Sequence, residues 1–320
     1  MSRIGGFVLV MFIAITTTAV VTFLPYINEL DRRRDAVGHG SLVANLDIGP
    51  IEYADSGAGI PLLSIHGAGG GFDQGLALAA DLVGGGFRVI APSRFGYLRT
   101  PAPRDPSPVA QGDAHAALLS KLNVRKAVVV GVSAGARSAV ELALRHPDKV
   151  AALILIVPAL YPPSSPVSIN VSLGNRFAFW AVNAGGDFAW WATENTAPSI
   201  LIRFVGVRPA LVAATPQAER DRVMSFLKSV EPLSLRLPGI NIDSIPKQYE
   251  LPLNEITAPT MIISARDDLF NTLPAAELAA DNIPGAELVV YDTGGHLLVG
   301  QVQQVRKAVR TFLARKGLIP

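Results

Sequence analysis

The sequence predicts an α/β fold, a mostly parallel central sheet with helices on both faces and an inserted helical lid. Continuously apolar runs of strand length alternate with helical segments, which is typical of parallel strands that are buried on both faces. This alternation stops between Pro158 and Glu255 and then resumes. No repeat with a period of 20–50 residues is visible, which argues against a solenoid or a propeller.

The first element is a segment without charged side chains. From Ile4 to Ile27 there is no Asp, Glu, Lys, Arg, His, Asn or Gln. The 18 residues Phe7–Leu24 span about 27 Å as a helix, close to the ~30 Å hydrocarbon core of a bilayer. We expect this helix to end at Leu24-Pro25, because the residue before a proline disfavours the α region. With the charged stop at Asp31–Asp35, residues 1–35 are predicted to be a membrane anchor and its flank.

This segment predicts a membrane localisation through a single N-terminal anchor. A cleaved signal peptide is one alternative, although the apolar run is longer than a usual signal core. A buried core helix is the other, and it is less favoured because the segment precedes the whole fold and is apolar on every side. Three arginines follow the segment, whereas only Arg3 and the free amine precede it. The excess of positive charge after the segment favours the cytoplasmic side for the rest of the chain. The side stays open at this point.

The remaining elements fall into two parts of one core, residues 36–158 and residues 256–320. The predicted strands are residues 51–54, 61–65, 87–91, 126–130, 150–157, 260–263 and 287–291. The predicted helices are residues 111–122, 134–145, 274–280 and 302–314.

Residues 159–255 interrupt this pattern and are interpreted as the lid. They hold all three tryptophans, and residues 159–202 contain only three charged side chains, those of Arg176, Asp187 and Glu194. A separate folding domain is the less favoured alternative, because predicted strands occur on both sides of the segment. The aromatic, weakly charged lid predicts an apolar substrate, unless Trp180, Trp190 and Trp191 merely pack the lid's own core.

Composition excludes several classes of protein. Of the 320 residues 49% are hydrophobic and 17% are charged, which excludes a disordered chain, since disorder needs low hydrophobicity and high net charge. The net charge of +2 gives no strong field for a polyanion, and no nucleic-acid partner is predicted. The absence of Cys excludes disulfides, thiolate nucleophiles and Cys-based metal sites. No metal and no cofactor are predicted.

Gly131-Val132-Ser133-Ala134-Gly135 follows an apolar strand and opens a helix. This is the G-x-S-x-G motif in its required strand–turn–helix context, and it predicts Ser133 as a nucleophile on a sharp turn. The flanking glycines leave room for the turn, and the start of the helix directs N–H groups at developing negative charge. A phosphate-binding turn is the alternative, but it needs a further Gly or a Lys that is absent here.

A serine nucleophile needs a base that an acid holds in place. His296 follows the last predicted strand, whereas His39, His66, His115 and His146 are predicted to be structural. Two acids, Asp267 and Asp268, follow the strand at residues 260–263. One can orient the imidazole, and the other caps a helix or accepts loop amides. The order Ser, Asp, His is that of one hydrolase fold and differs from that of the other common triads.

A glycine-rich loop, Ile65-His66-Gly67-Ala68-Gly69-Gly70-Gly71, follows an early strand. Its glycines let the backbone approach a substrate carbonyl closely. The N–H groups of Ala68 and Ala134 are therefore predicted to form an oxyanion hole, and His66 is predicted to brace the loop. A phosphate-binding loop is the alternative, but the Lys-Ser/Thr ending of a P-loop is absent.

On these motifs, residues 45–320 resemble the α/β-hydrolase superfamily in its lid-bearing esterase/lipase-like branch. In such proteins the catalytic carboxylate is usually the last of the acid pair, so the resemblance implies Asp268 rather than Asp267. Two departures lie at Ser93 and Leu98, where the family often has Asp and Gly. The elbow also lacks the Asn-Ser-Met pattern of many hydrolases that cleave carbon–carbon bonds.

The predicted function is that of a serine hydrolase that cleaves carboxylic esters of apolar small molecules or lipids through an acyl-enzyme. Ser133 attacks, His296 transfers the proton and Asp268 orients His296. Lactone, thioester or carbon–carbon bond hydrolysis and acyl transfer use the same triad, so they stay open as alternatives. A non-catalytic ligand-binding protein on this fold is less favoured.

Overall fold

The structure, a computed structural model, describes residue 11 and residues 23–160, 186–244 and 251–320. Its strands are β1 (Leu42–Leu46), β2 (Gly49–Gly57), β3 (Ile60–Ile65), β4 (Phe87–Pro92), β5 (Ala127–Val132), β6 (Val150–Ile156), β7 (Thr260–Ala265) and β8 (Glu287–Tyr291). They form one sheet in the order β1-β2-β4-β3-β5-β6-β7-β8. β2 pairs antiparallel with β1 and β4, and all the other neighbours are parallel.

The described helices are α1 (23–39), α2 (Phe72–Leu82), α3 (Pro108–Lys121), α4 (Gly135–Arg145), α5 (Gly186–Thr196), α6 (Pro198–Phe204), α7 (Pro209–Ala213), α8 (Gln217–Ser229), α9 (Leu237–Ser244), α10 (Leu273–Asn282) and α11 (Val302–Arg315). Short 3-10 turns lie at Pro147–Lys149, Leu233–Leu235, Leu253–Glu255 and Gly295–Leu297.

Two apolar clusters, one on each face of the sheet, hold these layers together. α3, α4 and α10 pack on one face, and α2 and α11 pack on the other. Along β5, Val128 and Val130 join the cluster of α2 and α11, whereas Val129 joins the other cluster. Because successive side chains of a strand point to opposite faces, a strand buried on both sides is apolar at every position. The predicted α/β class with its mostly parallel sheet is confirmed.

Each predicted strand and helix of the core coincides with an observed one, and β1 and α2 are additional. β6 and β7 are neighbours in the sheet, with Leu153 paired to Thr260, although the chain leaves the sheet between them. Within this excursion, residues 186–244 form α5 to α9 and are called the lid segment below. The predicted boundaries at 159 and 255 stay a prediction.

The lid segment has its own apolar core, built around Trp190, Val223 and Leu227. The indole N–H of Trp190 donates a hydrogen bond to the Leu227 carbonyl at 3.0 Å. For Trp190, packing within the lid's own core is therefore the observed role. Trp180 lies outside the described residues.

The N-terminal part requires a correction. Residues on both sides of Leu24-Pro25 are helical, so the predicted helix end at this point is wrong. Among the described residues, no helix is long and apolar enough to cross a membrane, so the predicted membrane localisation is wrong and the predicted membrane partner is not supported. Most of the predicted anchor, residues 1–10 and 12–22, lies outside the described residues.

The charged run that was predicted to be a membrane stop lies within α1, which contacts the lid segment. Arg33 pairs with Glu29 at 2.8 Å, with Glu194 of α5 at 3.4 Å and, most closely, with Glu231 after α8. The side chains of Glu194 and Glu231 are 3% and 1% exposed. Burial raises the pKa of Glu231 to about 8, against the opposing charge of Arg33 and with a further rise from Glu194. The positive charge of Arg33 in α1 thus pairs with the buried carboxylates of the lid segment.

Aromatic side chains extend this contact along α1. The Phe23 ring stacks on that of Phe188 with 4.9 Å between centroids. The Tyr26 ring lies 5.1 Å from Phe188 and 5.6 Å from Trp191. α1 is therefore joined to α5 by both ion pairs and aromatic packing.

We predict that Arg33→Leu lowers the free energy of unfolding by about 3 kcal/mol, because it leaves buried carboxylates without their cation. The matched control is Arg32→Leu, since the Arg32 side chain is 75% exposed and bonds Glu29 and the Asn28 carbonyl of its own helix; its effect should be much smaller. Urea unfolding followed by tryptophan fluorescence measures both, and equal effects would contradict the buried role of Arg33.

The same comparison has a defined pH dependence. A carboxyl group whose pKa is higher in the folded than in the unfolded protein destabilises the fold increasingly as the pH rises above its pKa in the unfolded protein. Loss of Arg33 raises the pKa of Glu231 further, so the stability difference between Arg33→Leu and the unaltered protein should widen between pH 6 and pH 9, with most of the change above about pH 8, where Glu231 ionises in the unaltered protein. A constant difference over this range would show that Glu231 does not ionise in the folded protein.

Candidate active site

The turn between β5 and α4 holds Ser133 in a conformation that few side chains adopt. Ser133 has φ of 51°, and such strain is typical of functional turns. A Cβ at Gly131 would lie 2.6 Å from the Ala139 Cβ, and one at Gly135 would lie 2.4 Å from the His66 carbonyl oxygen. Only glycine fits these two positions, so lack of space for a Cβ explains both glycines of the motif.

Three side chains from the ends of parallel strands meet at this turn. The Ser133 hydroxyl donates to His296 Nε2 at 2.9 Å, and His296 Nδ1 donates to Asp268 Oδ2 at 2.8 Å. Ser133 follows β5, Asp268 follows β7 and His296 follows β8. Because parallel strands end at the same edge of a sheet, residues 28 and 163 positions away from His296 in sequence come together.

The surroundings of Asp268 favour its ionised form. Asp268 also accepts hydrogen bonds from the Phe270 amide at 2.8 Å and from the Thr272 hydroxyl. Burial alone would raise the pKa of Asp268, but His296 and these donors outweigh burial and hold the pKa below its ordinary value. An ionised Asp268 keeps the proton of His296 on Nδ1, which leaves Nε2 free to accept the Ser133 proton.

Asp267 has a different contact. Its Oδ1 accepts a hydrogen bond from the Gly295 amide at 2.7 Å. It therefore holds the backbone next to His296, as expected for the second carboxylate of the pair, while Asp268 contacts the imidazole. The structure thus assigns the two acids to two distinct contacts.

The glycine-rich loop passes directly against the nucleophile. A Cβ at Gly67 would lie 3.1 Å from the Ser133 Cβ. Ala68 and Ala134 follow Gly67 and Ser133, and neither amide donates a hydrogen bond to any of the described residues. Two N–H groups without a protein acceptor next to a nucleophile are what an oxyanion requires. The geometry is therefore compatible with the predicted oxyanion hole.

His66 braces this loop. It is fully buried, and its Nε2 accepts a hydrogen bond from the Arg94 amide at 3.0 Å, so its proton lies on Nδ1 and is donated to the Gly67 carbonyl at 2.7 Å. Burial, with the charge of Arg94, lowers the pKa of His66 well below its ordinary value. His66 is neutral and has both nitrogens occupied, so it is not available as a base.

The other three histidines bond elsewhere. His39 bonds the Asp35 carbonyl, His146 lies 2.8 Å from an oxygen of Asp113, and buried His115 bonds Ser138. Burial lowers the pKa of His115 to about 3. No group of three or more His, Asp or Glu side chains in the described part of the chain is placed to hold a metal ion.

The lid segment contributes contacts that the sequence analysis did not identify. The Gly206 carbonyl accepts hydrogen bonds from the amides of Leu269 and His296, both at 3.1 Å. Gly206 has φ of 82°, and a Cβ there would lie 2.6 Å from the His296 Cβ. The ring of Phe270 stands edge-on to His296 at 4.7 Å. No spacing in the sequence links Gly206 to two loops that lie far along the chain.

The two departures noted in the sequence have structural counterparts. Ser93 accepts a hydrogen bond from the Phe72 amide at 3.1 Å and donates to Glu52 at 2.7 Å. Leu98 has φ of 51°, a conformation that favours glycine, so the family's glycine is replaced here at a strained position. Among the described residues, the Ser93 hydroxyl bonds Phe72 and Glu52 and none of Ser133, Asp268 and His296.

Comparisons with known proteins agree with this arrangement. A family model described as the alpha/beta hydrolase fold matches residues 60–301. A 2-hydroxymuconate semialdehyde hydrolase of Pseudomonas sp. strain CF600 is 29% identical over 258 residues, which cover 76% of this chain and 82% of the relative. A pimeloyl-(acyl-carrier protein) methyl ester esterase of Aromatoleum aromaticum is 30% identical over 239 residues, which cover 73% and 90%.

A solved structure extends the similarity. An alpha/beta hydrolase fold protein from Nakamurella multipartita superposes with a TM-score of 0.68 and is 29% identical. The match covers 87% of this chain and 99% of that protein.

The two acids can be separated by isosteric substitutions. We predict that Asp268→Asn lowers kcat about 10³- to 10⁴-fold, because the amide no longer holds His296 in the required tautomer. Asp267→Asn is the matched control, and its loss should be less than about tenfold, since it alters a contact to a backbone amide. Steady-state kinetics on both variants, with circular dichroism to verify folding, is the measurement. A larger loss in Asp267→Asn would exchange the two roles.

Proposed function

Because the chain belongs to the alpha/beta hydrolase family, we propose that it hydrolyses a small-molecule substrate through an acyl-enzyme on Ser133. The observation that carries this proposal is the unbroken line of hydrogen bonds from Ser133 through His296 to Asp268. Ser133 is the nucleophile, His296 is the general base and then the general acid, and Asp268 orients and stabilises His296. Ala68 and Ala134 supply the oxyanion hole.

The first half of the reaction forms the acyl-enzyme. The Ser133 oxygen attacks a substrate carbonyl carbon while His296 Nε2 takes the hydroxyl proton. Negative charge moves to the carbonyl oxygen, where the amides of Ala68 and Ala134 stabilise it. When the carbonyl reforms, the bond to the leaving group breaks and His296 returns the proton to that group. Asp268 stays ionised throughout and balances the imidazolium.

The second half releases the acyl group. Water enters in place of the leaving group and gives its proton to His296, and its oxygen attacks the acyl carbon. The bond between Ser133 and the acyl carbon then breaks, and the proton on His296 returns to the Ser133 oxygen. The products are a carboxylic acid and the protonated leaving group, and no cofactor enters this balance.

The first candidate for the scissile bond is a carbon–carbon bond next to a carbonyl. This candidate is supported by the relatives named for 2-hydroxymuconate semialdehyde, whose hydrolysis breaks such a bond. The leaving group is then a carbon atom that must gain a proton, and His296 is the donor within the line of hydrogen bonds. The Val132-Ser133-Ala134 elbow, which lacks the Asn-Ser-Met pattern of many carbon–carbon bond hydrolases, is the observation that counts against this candidate.

The second candidate is a carboxylic ester, the bond that the sequence analysis put first. It is supported by the pimeloyl-(acyl-carrier protein) methyl ester esterase, which covers 73% of this chain at 30% identity. In an ester the leaving group is an alkoxide, which receives the same proton from His296. The two candidates differ only in the atom that leaves, so the protein's own steps are common to both.

A substrate panel separates the two bond classes. The purified protein should convert 2-hydroxymuconate semialdehyde, followed by its absorbance, with a higher kcat/KM than p-nitrophenyl butanoate or a dicarboxylic acid monomethyl ester. The reverse ranking would assign the protein to ester hydrolysis. A fluorophosphonate probe should label Ser133 in either case, and a protein that is neither labelled nor active on any of these substrates would contradict the proposed hydrolase.

Removal of the nucleophile tests the mechanism itself. We predict that Ser133→Ala lowers kcat by at least about 10³-fold on the better substrate, because the hydrogen-bonded residues of a triad act as a unit. The matched control is Ser138→Ala in α4, whose hydroxyl bonds His115 and the Gly135 carbonyl instead of His296. Activity retained in Ser133→Ala would rule out the acyl-enzyme route.

A further inference from the structure

A buried ion pair joins the lid segment to the loop after β4. Arg94 and Asp243 are 6% and 8% exposed, and Tyr97 is fully buried beside them. The Arg94 guanidinium donates to both carboxylate oxygens of Asp243, at 2.9 and 2.5 Å, and the Tyr97 hydroxyl donates to Asp243 at 2.5 Å. Asp243 lies in α9, so the lid segment supplies the carboxylate that fixes Arg94.

The same guanidinium also reaches the glycine-rich loop. Arg94 Nε donates to the His66 carbonyl at 2.9 Å, and Nη2 donates to the Gly67 carbonyl at 3.0 Å. The planar guanidinium presents its donors in a fixed fork. When Asp243 fixes one side of this fork, the donors on the other side are therefore fixed against the loop.

The bond to the Gly67 carbonyl matters because the N–H of Ala68 belongs to the same peptide group. The Gly67 carbonyl and the Ala68 N–H belong to one planar unit, in which they point in opposite directions when the peptide is trans. This oxygen accepts three donors: His66 Nδ1 at 2.7 Å, Arg94 Nη2 at 3.0 Å and, at the longest distance, the Gly70 amide at 3.4 Å. Together these donors fix the plane of the peptide, and they polarise the N–H at its other side. A charged donor contributes more than a neutral one.

We infer that Arg94 is a positioning residue for the oxyanion hole, and that Asp243 of the lid segment holds it in place. Arg94 sets the plane of the Gly67–Ala68 peptide and so directs the Ala68 N–H at the substrate oxygen. This inference rests on the proposed function, since it assumes that an oxyanion forms next to Ser133.

The seating of α9 supports this role for Asp243. The Gly239 amide donates to the Gly96 carbonyl at 2.9 Å, and a Cβ at Gly239 would lie 2.2 Å from the Tyr97 ring. α9 therefore lies directly on the turn that carries Arg94 and Tyr97. The position of the lid segment and the orientation of the Ala68 N–H are then parts of one arrangement.

The test is a kinetic comparison of Arg94→Met and Arg94→Lys with the unaltered protein, on whichever substrate the panel identifies. Because the oxyanion hole acts mainly in the transition state, Arg94→Met should lower kcat by about 10- to 100-fold with KM within about threefold. Arg94→Lys keeps the charge but loses the forked geometry of the guanidinium, so its kcat should lie between that of Arg94→Met and that of the unaltered protein. The control is Arg88→Met in β4, which removes a bidentate pair with Asp55 at 3.0 and 2.6 Å and should leave kcat unchanged.

The affinity for an inhibitor that forms a tetrahedral adduct with Ser133 is a second measurement, and a merely structural role of Arg94 would not change it. A trifluoromethyl ketone that adds to Ser133 places an oxyanion in the hole, so its inhibition constant should rise in Arg94→Met by the same factor as kcat falls. Binding of an unreactive substrate analogue, such as the matching alcohol, should change by less than about threefold, in line with the unchanged KM.

Two further variants keep the inference testable if Arg94→Met does not fold. Asp243→Asn is isosteric and should lower kcat in the same direction as Arg94→Met but by less, because the arginine keeps its bonds to the loop. If Arg94→Met alone does not fold, the double variant Arg94→Met/Asp243→Asn removes both buried charges and should show the loss of kcat and of ketone affinity.

The outcomes distinguish this inference from the proposed function. If folded Arg94 variants have the kcat and the ketone affinity of Arg88→Met, the positioning role is wrong while the hydrolase proposal stands. The same holds if KM alone changes. If Ser133→Ala is as active as the unaltered protein, the proposed function fails, and with it the oxyanion on which this inference rests.

Discussion

The arrangement of this protein depends on backbone packed against backbone where β3 and β5 end. The start of α4 lies so close to the carbonyls of Ile65 and His66 that a Cβ at Gly135 would be 2.7 and 2.4 Å from their oxygens. With Gly67 against Ser133, this contact brings the nucleophile and the glycine-rich loop together without any side chain between them. The turn that carries Ser133 and the loop that carries Gly67 are therefore fixed relative to each other, and His296 and the lid segment are placed around them.

Buried charge, in contrast, joins the lid segment to the rest of the described chain. Arg236 of the lid segment is fully buried and pairs with Asp73 of α2 at 3.2 and 2.7 Å, in addition to the Arg94–Asp243 pair. On its other side, the lid segment receives Arg33 from α1. Buried pairs contribute little net stability, but they tolerate few alternative positions because an unpaired charge is costly. Such ion pairs therefore fix the position of the lid segment more narrowly than an apolar interface would.

Local patterns in the sequence were sufficient for the fold and for much of the site. Ser133 and His296 stand in short motifs next to apolar strands, and the choice of Asp268 over Asp267 came from a family resemblance. The charged run after the apolar segment is predicted to be a membrane stop because the sequence records its charges and not their contacts, and the partners of Arg33 lie 161 and 198 residues further on. Arg94 and Asp243 were missed for the same reason, since 149 residues separate them and no motif connects them.

The shared carbonyl of Gly206 has a consequence for how such an enzyme can diverge. The loop that carries Asp268 and the loop that carries His296 are both anchored on an atom that belongs to neither loop, the carbonyl oxygen of Gly206 in the lid segment. Exchange of the whole lid segment between relatives would therefore carry along an anchor of His296, the proposed general base. A functional chimera has to keep Gly206 and its flanking turn with the recipient core, so the unit that can be exchanged without loss of chemistry is smaller than the lid segment itself.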